Sequence, residues 1–223
     1  MIAREGFPFI LIGLILAGIF FSIWRISGSQ WGMVVGCLMS VLTLWVVWFF
    51  RDPDRTPLSS DVLAAVSPAD GKIIGIDTLQ NHDFVGGPTT KISIFLNVFD
   101  VHVNRIPLDG SVAFINYHPG KFFVASLDKA SEENERCEIG LTTRNGNIVV
   151  KQIAGLIARR IVCRLSDGDT VTRGQRFGLI RFGSRTELYL PASASVAVHV
   201  GDKVKGGETI LATMKPLSAG RKD

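Results

Sequence analysis

Hydrophobic positions are concentrated at the start of the chain, in two runs without a charged residue. The first run extends from Phe7 to Trp24 and the second from Trp31 to Phe50. A helix over either run is roughly 27–30 Å long, which matches the hydrocarbon thickness of a bilayer. Only residues 25–30 lie between the two runs. The pattern therefore predicts a membrane-anchoring helical hairpin over residues 1–50, with both of its ends on one side of the membrane.

Positive charges indicate how this hairpin is oriented. Arg4, Arg51 and Arg55 flank its outer ends, whereas the connecting loop contains only Arg25. Because Lys and Arg are enriched on the cytoplasmic side, we expect the rest of the chain at the cytoplasmic face of the inner cell membrane. A cleaved signal peptide is an alternative, but the first run is long for one and a second span follows. A hairpin buried in a soluble core is disfavoured because cores rarely need 18 uncharged residues in a row.

From Arg51 onward the pattern changes to short runs rich in β-branched residues, separated by turns that contain glycine. The runs cover Lys72–Ile76, Lys91–Leu96, Ser111–Tyr117, Ile148–Ile153, Leu156–Arg164, Arg176–Phe182 and Ser195–Val200. Regular short strands of this kind predict a mainly β (α+β) domain over residues 51–223, with a sandwich or barrel-like core. A helix is considered at one place only, from Ser126 to Glu138.

An internal repeat supports the β prediction. The spacing Gly-Asp-x-Val-x-x-Gly occurs at residues 168–174 and again at residues 201–207. It resembles the half-motifs of biotinyl and lipoyl carrier domains, and Met214-Lys215 resembles the biotin acceptor dipeptide. A carrier needs a second half-motif after that lysine. We therefore interpret the repeat as structural, a strand–turn–strand unit in which glycine takes a positive φ.

Composition excludes several classes of protein. Hydrophobic residues make up 47% of the chain and charged residues 20%, so the chain is neither disordered nor of low complexity. The three cysteines, Cys37, Cys137 and Cys163, are too few for a disulfide scaffold and lack metal-ligand spacing. No metal site is therefore predicted.

The histidines and two polar turns are the candidates for chemistry. His102 directly follows an apolar strand and His118 lies in a turn, which are common places for functional groups. His82 and His199 are interpreted as ordinary surface or packing residues. The segments Ser67–Lys72 and Arg181–Arg185 could each be an ordinary turn if taken alone.

Together and in this order, these segments resemble the phosphatidylserine decarboxylase family, specifically its short, membrane-anchored bacterial branch. The matching segments are FRDPDR at 50–55, SPADGK at 67–72, NVFDVHVNRIP at 97–107, YHPGK at 117–121 and FGS at 182–184. They cover the whole soluble part, and the predicted anchor precedes them as it does in that branch.

The resemblance implies a proenzyme that cleaves its own backbone between Gly183 and Ser184. The products would be a β chain of residues 1–183 and an α chain of residues 184–223, with Ser184 converted to a covalent pyruvoyl group. That group would decarboxylate phosphatidylserine to phosphatidylethanolamine and CO₂ through a Schiff base, without pyridoxal phosphate or a metal. The chemistry is reasonable because no standard side chain has the electrophilic carbonyl that can accept the electrons of the carbanion.

The resemblance also implies that an aspartate and a histidine assist self-cleavage, as in a Ser-His-Asp triad. Asp70 occupies the aspartate position, and His102 occupies the first histidine of the strand-end motif. Longer family members carry a second histidine where this chain has Arg105, and a threonine usually follows the serine where this chain has Arg185. His102 or His118 must therefore supply the base, and His102 is the expected proton donor after decarboxylation.

The predicted partners are a phospholipid substrate, the membrane, and the α and β chains of one precursor. No nucleic acid is expected, and a homo-oligomer is left open. Two alternative functions are retained at this point. One is a decarboxylase of a related aminophospholipid, and the other is a non-catalytic membrane-anchored carrier or adaptor domain built on the repeat.

Overall fold

A computed structural model describes residues 1–120, 134–155, 160–181 and 184–216 of the chain. The chain divides into two compact units, Met1–Asp54 and Arg55–Asp223. The sequence placed the boundary after residue 50, whereas the structure places it after Asp54. The first unit thus includes the four residues 51–54, which follow the second helix.

The first unit is a helical hairpin. It consists of a short 3-10 turn, helix α1 and helix α2, which cover Arg4–Gly6, Phe7–Ser27 and Gln30–Phe49. Gly28 ends α1 in the left-handed conformation, with φ 68°. At the other end the N–H of Ala3 donates to the carbonyl oxygen of Phe50 at 2.8 Å, so both ends of the hairpin lie on the same side, as predicted. Both helices are long and apolar enough to cross a membrane.

The second unit is built from strands, which confirms the predicted mainly β fold. In the described residues they are β1 (Ala64–Val66), β2 (Gly71–His82), β3 (Gly87–Leu96), β4 (Val103–Arg105), β5 (Gly110–His118), β6 (Arg136–Thr143), β7 (Gly146–Ile153), β8 (Ile161–Cys163), β9 (Thr170–Val171), β10 (Arg176–Ile180), β11 (Ser184–Pro191), β12 (Ser195–Val196), β13 (Lys203–Val204) and β14 (Ile210–Thr213).

These strands form one large sheet and two small ones. The large sheet has the order β13-β2-β3-β11-β7-β6-β5-β9, and the small sheets have the orders β1-β14-β12 and β4-β10-β8. Alternate residues of the large sheet, including Ile94, Val150 and Leu188, form the core together with residues of the small sheets such as Phe177 and Leu211. We call the core-bearing side of the large sheet its inner face and the opposite side its outer face.

Two predicted elements differ from the structure where they can be compared: the strand predicted over Ser195–Val200 is found only at Ser195–Val196, and the helix considered from the sequence is replaced by a strand. The helix considered over Ser126–Glu138 lies mostly outside the described residues, but its last three residues begin β6. Cys137, Ile139 and Leu141 are buried at every second position, which is the period of a strand and not of a helix. The predicted strand Leu156–Arg164 is described only from residue 160, where β8 covers Ile161–Cys163.

The repeat forms the same turn twice. Gly168 and Gly201 have φ values of 86° and 104°, as the strand–turn–strand interpretation predicted. The carboxylate of Asp169 accepts from the N–H of Ser166 at 2.8 Å, and the carboxylate of Asp202 accepts from the N–H three residues before it at the same distance. Both copies therefore serve the fold.

Candidate active site

Ser184 is the first residue of β11, a central strand of the large sheet. The strand pairs with β3 on one side, where Ser184 lies opposite Leu96, and with β7 on the other. Ser184 is completely buried and shares the inner face with Thr186. Within the described part of the chain, its Oγ has no hydrogen-bond partner. Gly183, the predicted partner in the cleaved bond, lies outside the described residues.

His102 directly precedes β4 and is 2% exposed. Its Nδ1 lies 2.9 Å from the carbonyl oxygen of Asp100. Because a carbonyl oxygen can only accept, Nδ1 carries the proton in this contact and Nε2 is the basic nitrogen. The imidazole is therefore oriented by a main-chain group, in the tautomer that a base acting through Nε2 requires.

Asp70 lies in the turn between β1 and β2 and is held by two neighbours. Its carboxylate accepts two hydrogen bonds from the guanidinium of Arg55, of which the bond from Nη2 to Oδ2 is 2.8 Å long. A third bond, also of 2.8 Å, comes from the N–H of Gly206. Nη1 of Arg55 additionally donates to the carbonyl oxygen of Gly206 at 2.9 Å. The expected triad partner of Asp70 was a histidine, whereas the contacts found here tie it to an arginine.

His118 ends β5 and faces away from Ser184. Across the sheet it lies in one row with Arg136, Ile153 and Arg185. Residues in one row point to the same face, and neighbours along a strand point to opposite faces. Because Arg185 immediately follows Ser184, the side chains of His118 and Ser184 lie on opposite faces of the sheet.

His118 belongs instead to a charged cluster on the outer face. Nζ of Lys151 lies 2.8 Å from Oε1 of Glu138. Burial alone would raise the pKa of Glu138, but Lys151, His118 and Arg136 together lower it below its usual value. The cluster thus keeps a half-buried carboxylate ionised on the face away from Ser184.

Arg105, which the sequence resemblance matches to a second histidine of longer family members, contacts two turns. The residue is 2% exposed, and its Nη1 donates to the carbonyl oxygen of Gly174 at 3.0 Å. A Cβ on Gly207 would lie 2.5 Å from Cδ of Arg105, so the guanidinium stem fills the space that this glycine leaves. Asn104 and Arg105 are neighbours in β4, so their side chains point to opposite sides of that strand.

Three residues near the candidate site were not singled out by their sequence. Arg55 was treated as a flanking charge of the hairpin, although it lies in a matching segment. Asn104 lies in the strand-end motif, but the sequence assigned it no function. Gln152 is the one polar residue among the inner-face residues of β7, which are otherwise apolar. A polar residue at an alternating apolar position is the sequence feature that could have identified it.

Sequence comparisons identify the protein class to which this site belongs. Residues 42–212 match the family described as "Phosphatidylserine decarboxylase". A "Phosphatidylserine decarboxylase proenzyme" of Syntrophus aciditrophicus is 50% identical over 216 residues, covering 95% of this chain and 97% of the relative. Proteins of the same name from Desulfotalea psychrophila and Magnetococcus marinus are 48% and 42% identical, covering 94% and 96% of this chain and 95% and 96% of those relatives.

These matches define the class as decarboxylases, enzymes that break a carbon–carbon bond to release CO₂. More specifically, the chain belongs to the phosphatidylserine decarboxylase family. Membership disfavours the carrier or adaptor alternative. Met214 of the apparent acceptor dipeptide is in fact 2% exposed and packs in the core.

Proposed function

We propose that this chain is a proenzyme that cleaves itself between Gly183 and Ser184 and then decarboxylates phosphatidylserine to phosphatidylethanolamine. The family and the name shared by the relatives support the substrate and the word proenzyme. The observation that carries the site assignment is the buried hydroxyl of Ser184. It stands at the start of a central strand, with no hydrogen-bond partner among the described residues to hold its oxygen away from an attack.

Self-cleavage begins when Oγ of Ser184 attacks the carbonyl carbon of Gly183. The hydroxyl proton must leave during this attack, and Nε2 of His102 is the proposed acceptor. The peptide bond is replaced by an ester, and the nitrogen of residue 184 becomes a free amine. β-Elimination then removes the α-hydrogen of residue 184 as a proton and breaks its Cβ–Oγ bond, so that the carboxylate of residue 183 leaves and a dehydroalanine remains at position 184. One water molecule adds to the imine tautomer of this residue and supplies the keto oxygen, and the nitrogen leaves as ammonia. The former Oγ of Ser184 remains in the new carboxylate of residue 183.

The pyruvoyl group fits the surroundings of Ser184. When formed, it supplies an electrophilic carbonyl that accepts the electron pair left by the departing CO₂. The chain keeps this position in place after cleavage because β11 is paired along its length with β3 and with β7. Complete burial of residue 184 excludes bulk water from the reacting carbon. His102 is the proposed donor of the proton that replaces CO₂.

The assignments of the other two candidates differ. His102 is preferred to His118 as the base, because the register directs the His118 side chain to the outer face. Asp70 is retained as a residue of the self-cleavage relay on the strength of its motif position. In this role the carboxylate of Asp70 must give up its hydrogen bonds to Arg55 and bind His102 during the reaction. The rate of self-cleavage in Asp70→Asn therefore tests whether Asp70 belongs to the relay.

The hairpin gives the enzyme access to its substrate. We propose that α1 and α2 cross the inner cell membrane and that the β-rich unit lies at the cytoplasmic face, where Arg4 and Arg51 place the helix ends. Phosphatidylserine is confined to the leaflet, so an anchored enzyme searches two dimensions for it. The α and β chains are the expected constituents of the mature protein.

The test is the covalent structure of the purified full chain. Wild-type protein should give two chains on a denaturing gel, divided at residue 184, and the mass of the 40-residue chain should correspond to a pyruvoyl terminus. That chain should resist Edman degradation and gain mass on borohydride reduction. Ser184→Ala should remain one inactive chain, whereas the control Ser195→Ala, an exposed serine of the same α chain, should process normally. An active protein with an intact serine at position 184 would contradict the proposal.

A further inference from the structure

The candidate site is assembled from segments that belong to different sheets. β11, which begins with Ser184, takes its main-chain partners from β3 and β7 in the large sheet. β4, which follows His102, pairs with β10 in a small sheet. A distance between imidazole and hydroxyl that suits proton transfer must therefore be set by contacts between sheets.

The side chain of Asn104 makes such a contact. Its Nδ2 lies 3.4 Å from Oγ1 of Thr186 on β11 and 3.4 Å from the carbonyl oxygen of Pro68, in the turn that carries Asp70. The main-chain N–H of Arg105 donates to the same Pro68 oxygen at 2.9 Å. One amide thus bridges the histidine strand, the serine strand and the aspartate turn.

Gln152 decides which way this amide points. Nε2 of Gln152 donates to Oδ1 of Asn104 at 2.8 Å, so the oxygen of Asn104 faces β7 and its NH₂ group faces Thr186 and Pro68. Gln152 is itself placed opposite Thr186 by the pairing of β7 with β11. Asn104, Gln152 and Thr186 are all fully buried.

This network is a poor way to gain stability. Two of its bonds are 3.4 Å long, and Oε1 of Gln152 has no partner among the described residues although it is buried. A buried polar atom without a partner costs about 1–3 kcal/mol, and apolar residues of the same shape would avoid that cost. A polar network that is only partly satisfied therefore points to a function other than packing.

The bridge is also correctly located for positioning. His102 is two residues before Asn104 and Ser184 is two residues before Thr186, so the main chain of each lies within about 7 Å of the residue that takes part in the bridge. The main chain of His102 also contacts the end of β10, because the N–H of Ile180 donates to the carbonyl oxygen of His102 at 3.4 Å, and Ile180 is four residues before Ser184 in the chain.

We propose that Asn104, oriented by Gln152, is a positioning residue for self-cleavage that holds the imidazole of His102 against the hydroxyl of Ser184. The inference rests on the proposed function, since it assumes that these two groups react. Asn104 touches neither reacting atom. Its removal should misplace an intact base, and a displacement of about 1 Å can slow a reaction by up to about 100-fold.

The test follows self-cleavage of the full chain from the moment of synthesis, by cell-free translation into phospholipid vesicles and denaturing gels over time. Asn104→Ala should cleave about 10- to 100-fold more slowly than wild type at every pH. The midpoint of the pH–rate curve should stay unchanged, because His102 is still present. The control Asn147→Ala removes an asparagine that donates to the carbonyl oxygen of Phe84 at 2.9 Å from the other end of β7, and it should cleave at the wild-type rate.

A double variant separates positioning from folding. Asn104→Leu with Gln152→Met replaces both amides by apolar side chains of similar length, which removes the unpaired amide oxygen and leaves no cavity, so its thermal midpoint should lie at or above that of Asn104→Ala. Its cleavage should nevertheless be slowed as in Asn104→Ala. Wild-type cleavage in the double variant, or slowing only in proportion to lost stability, would overturn the inference. Ser184→Ala is run beside them, and if it were cleaved, the proposed function itself would fail, whatever the Asn104 variants show.

Discussion

The ion pair between Arg55 and Asp70 is the contact whose loss should be easiest to measure. The two side chains are 7% and 12% exposed, so water does little to replace the interaction when one partner is removed. Arg55→Met deletes both guanidinium bonds to Asp70 and leaves the carboxylate with the N–H of Gly206 as its bonding partner. Removing one member of a buried, hydrogen-bonded pair costs about 3–5 kcal/mol, and the residual Gly206 bond favours the lower value. For a unit of this size, about 3 kcal/mol corresponds to a decrease of roughly 6–12 °C in the unfolding midpoint.

The measurement is thermal unfolding of the full chain in detergent, followed by circular dichroism. All variants carry Ser184→Ala, so that self-cleavage does not change the molecule being unfolded. Arg144→Met, the loss of an exposed arginine, is the control and should unfold with the background protein. Adding Asp70→Asn to Arg55→Met should recover part of the loss, because the remaining amide no longer carries an uncompensated charge. A midpoint for Arg55→Met within about 2 °C of the control would show that the pair contributes less than about 1 kcal/mol and would refute the reasoning.

Three further predictions concern a turn, a thiol and the anchor. Gly71 has φ 148°, and a Cβ there would lie 2.2 Å from the carbonyl oxygen of Phe95. Gly71→Ala should therefore lower the free energy of unfolding by more than about 1 kcal/mol in the same assay. The control Gly86→Ala, at a glycine with open space around it, should lower it less. A hydrogen bond from Cys137 lowers the pKa of Cys163 to about 7. Because the thiolate is the reactive form, the rate of alkylation of Cys163 by iodoacetamide should increase with pH through about 7. Peptide mass spectrometry measures this rate, and a midpoint near pH 9 would contradict the prediction. Deleting residues 1–50 should leave self-cleavage intact but reduce turnover of phosphatidylserine in vesicles, and equal turnover would show that anchoring is unnecessary.

The elements that depend on local pattern were predictable from the sequence. The two uncharged runs anticipated α1 and α2 to within three residues at each end, because helix length in such a segment follows directly from where polar residues begin. The repeat predicted positive φ at Gly168 and Gly201 because few residues other than glycine adopt it. Position in a matching motif was sufficient to select Ser184 and His102 as candidates.

Contacts that depend on strand order were not predictable. Asp70 was expected to meet a histidine, but the turn that carries it lies beside Gly206 and Arg55, which are 136 and 15 residues away in the chain. Gln152 and Asn104 meet only because β7 and β4 approach each other from separate sheets. His118 and Ser184 are both near strand ends, and only the register of β5, β6, β7 and β11 reveals that they face opposite ways.

The central position of β11 also makes the large sheet depend on the segment that begins with Ser184. β3 and β7 are synthesised long before β11, yet they are not neighbours in the large sheet until residues 184–191 are inserted between them. While the ribosome is still making the preceding segments, the large sheet has a gap where its middle strand belongs. A chain without residues 184–191 therefore cannot join β3 to β7, and the two halves of the large sheet depend on the same segment that contains the proposed reacting serine.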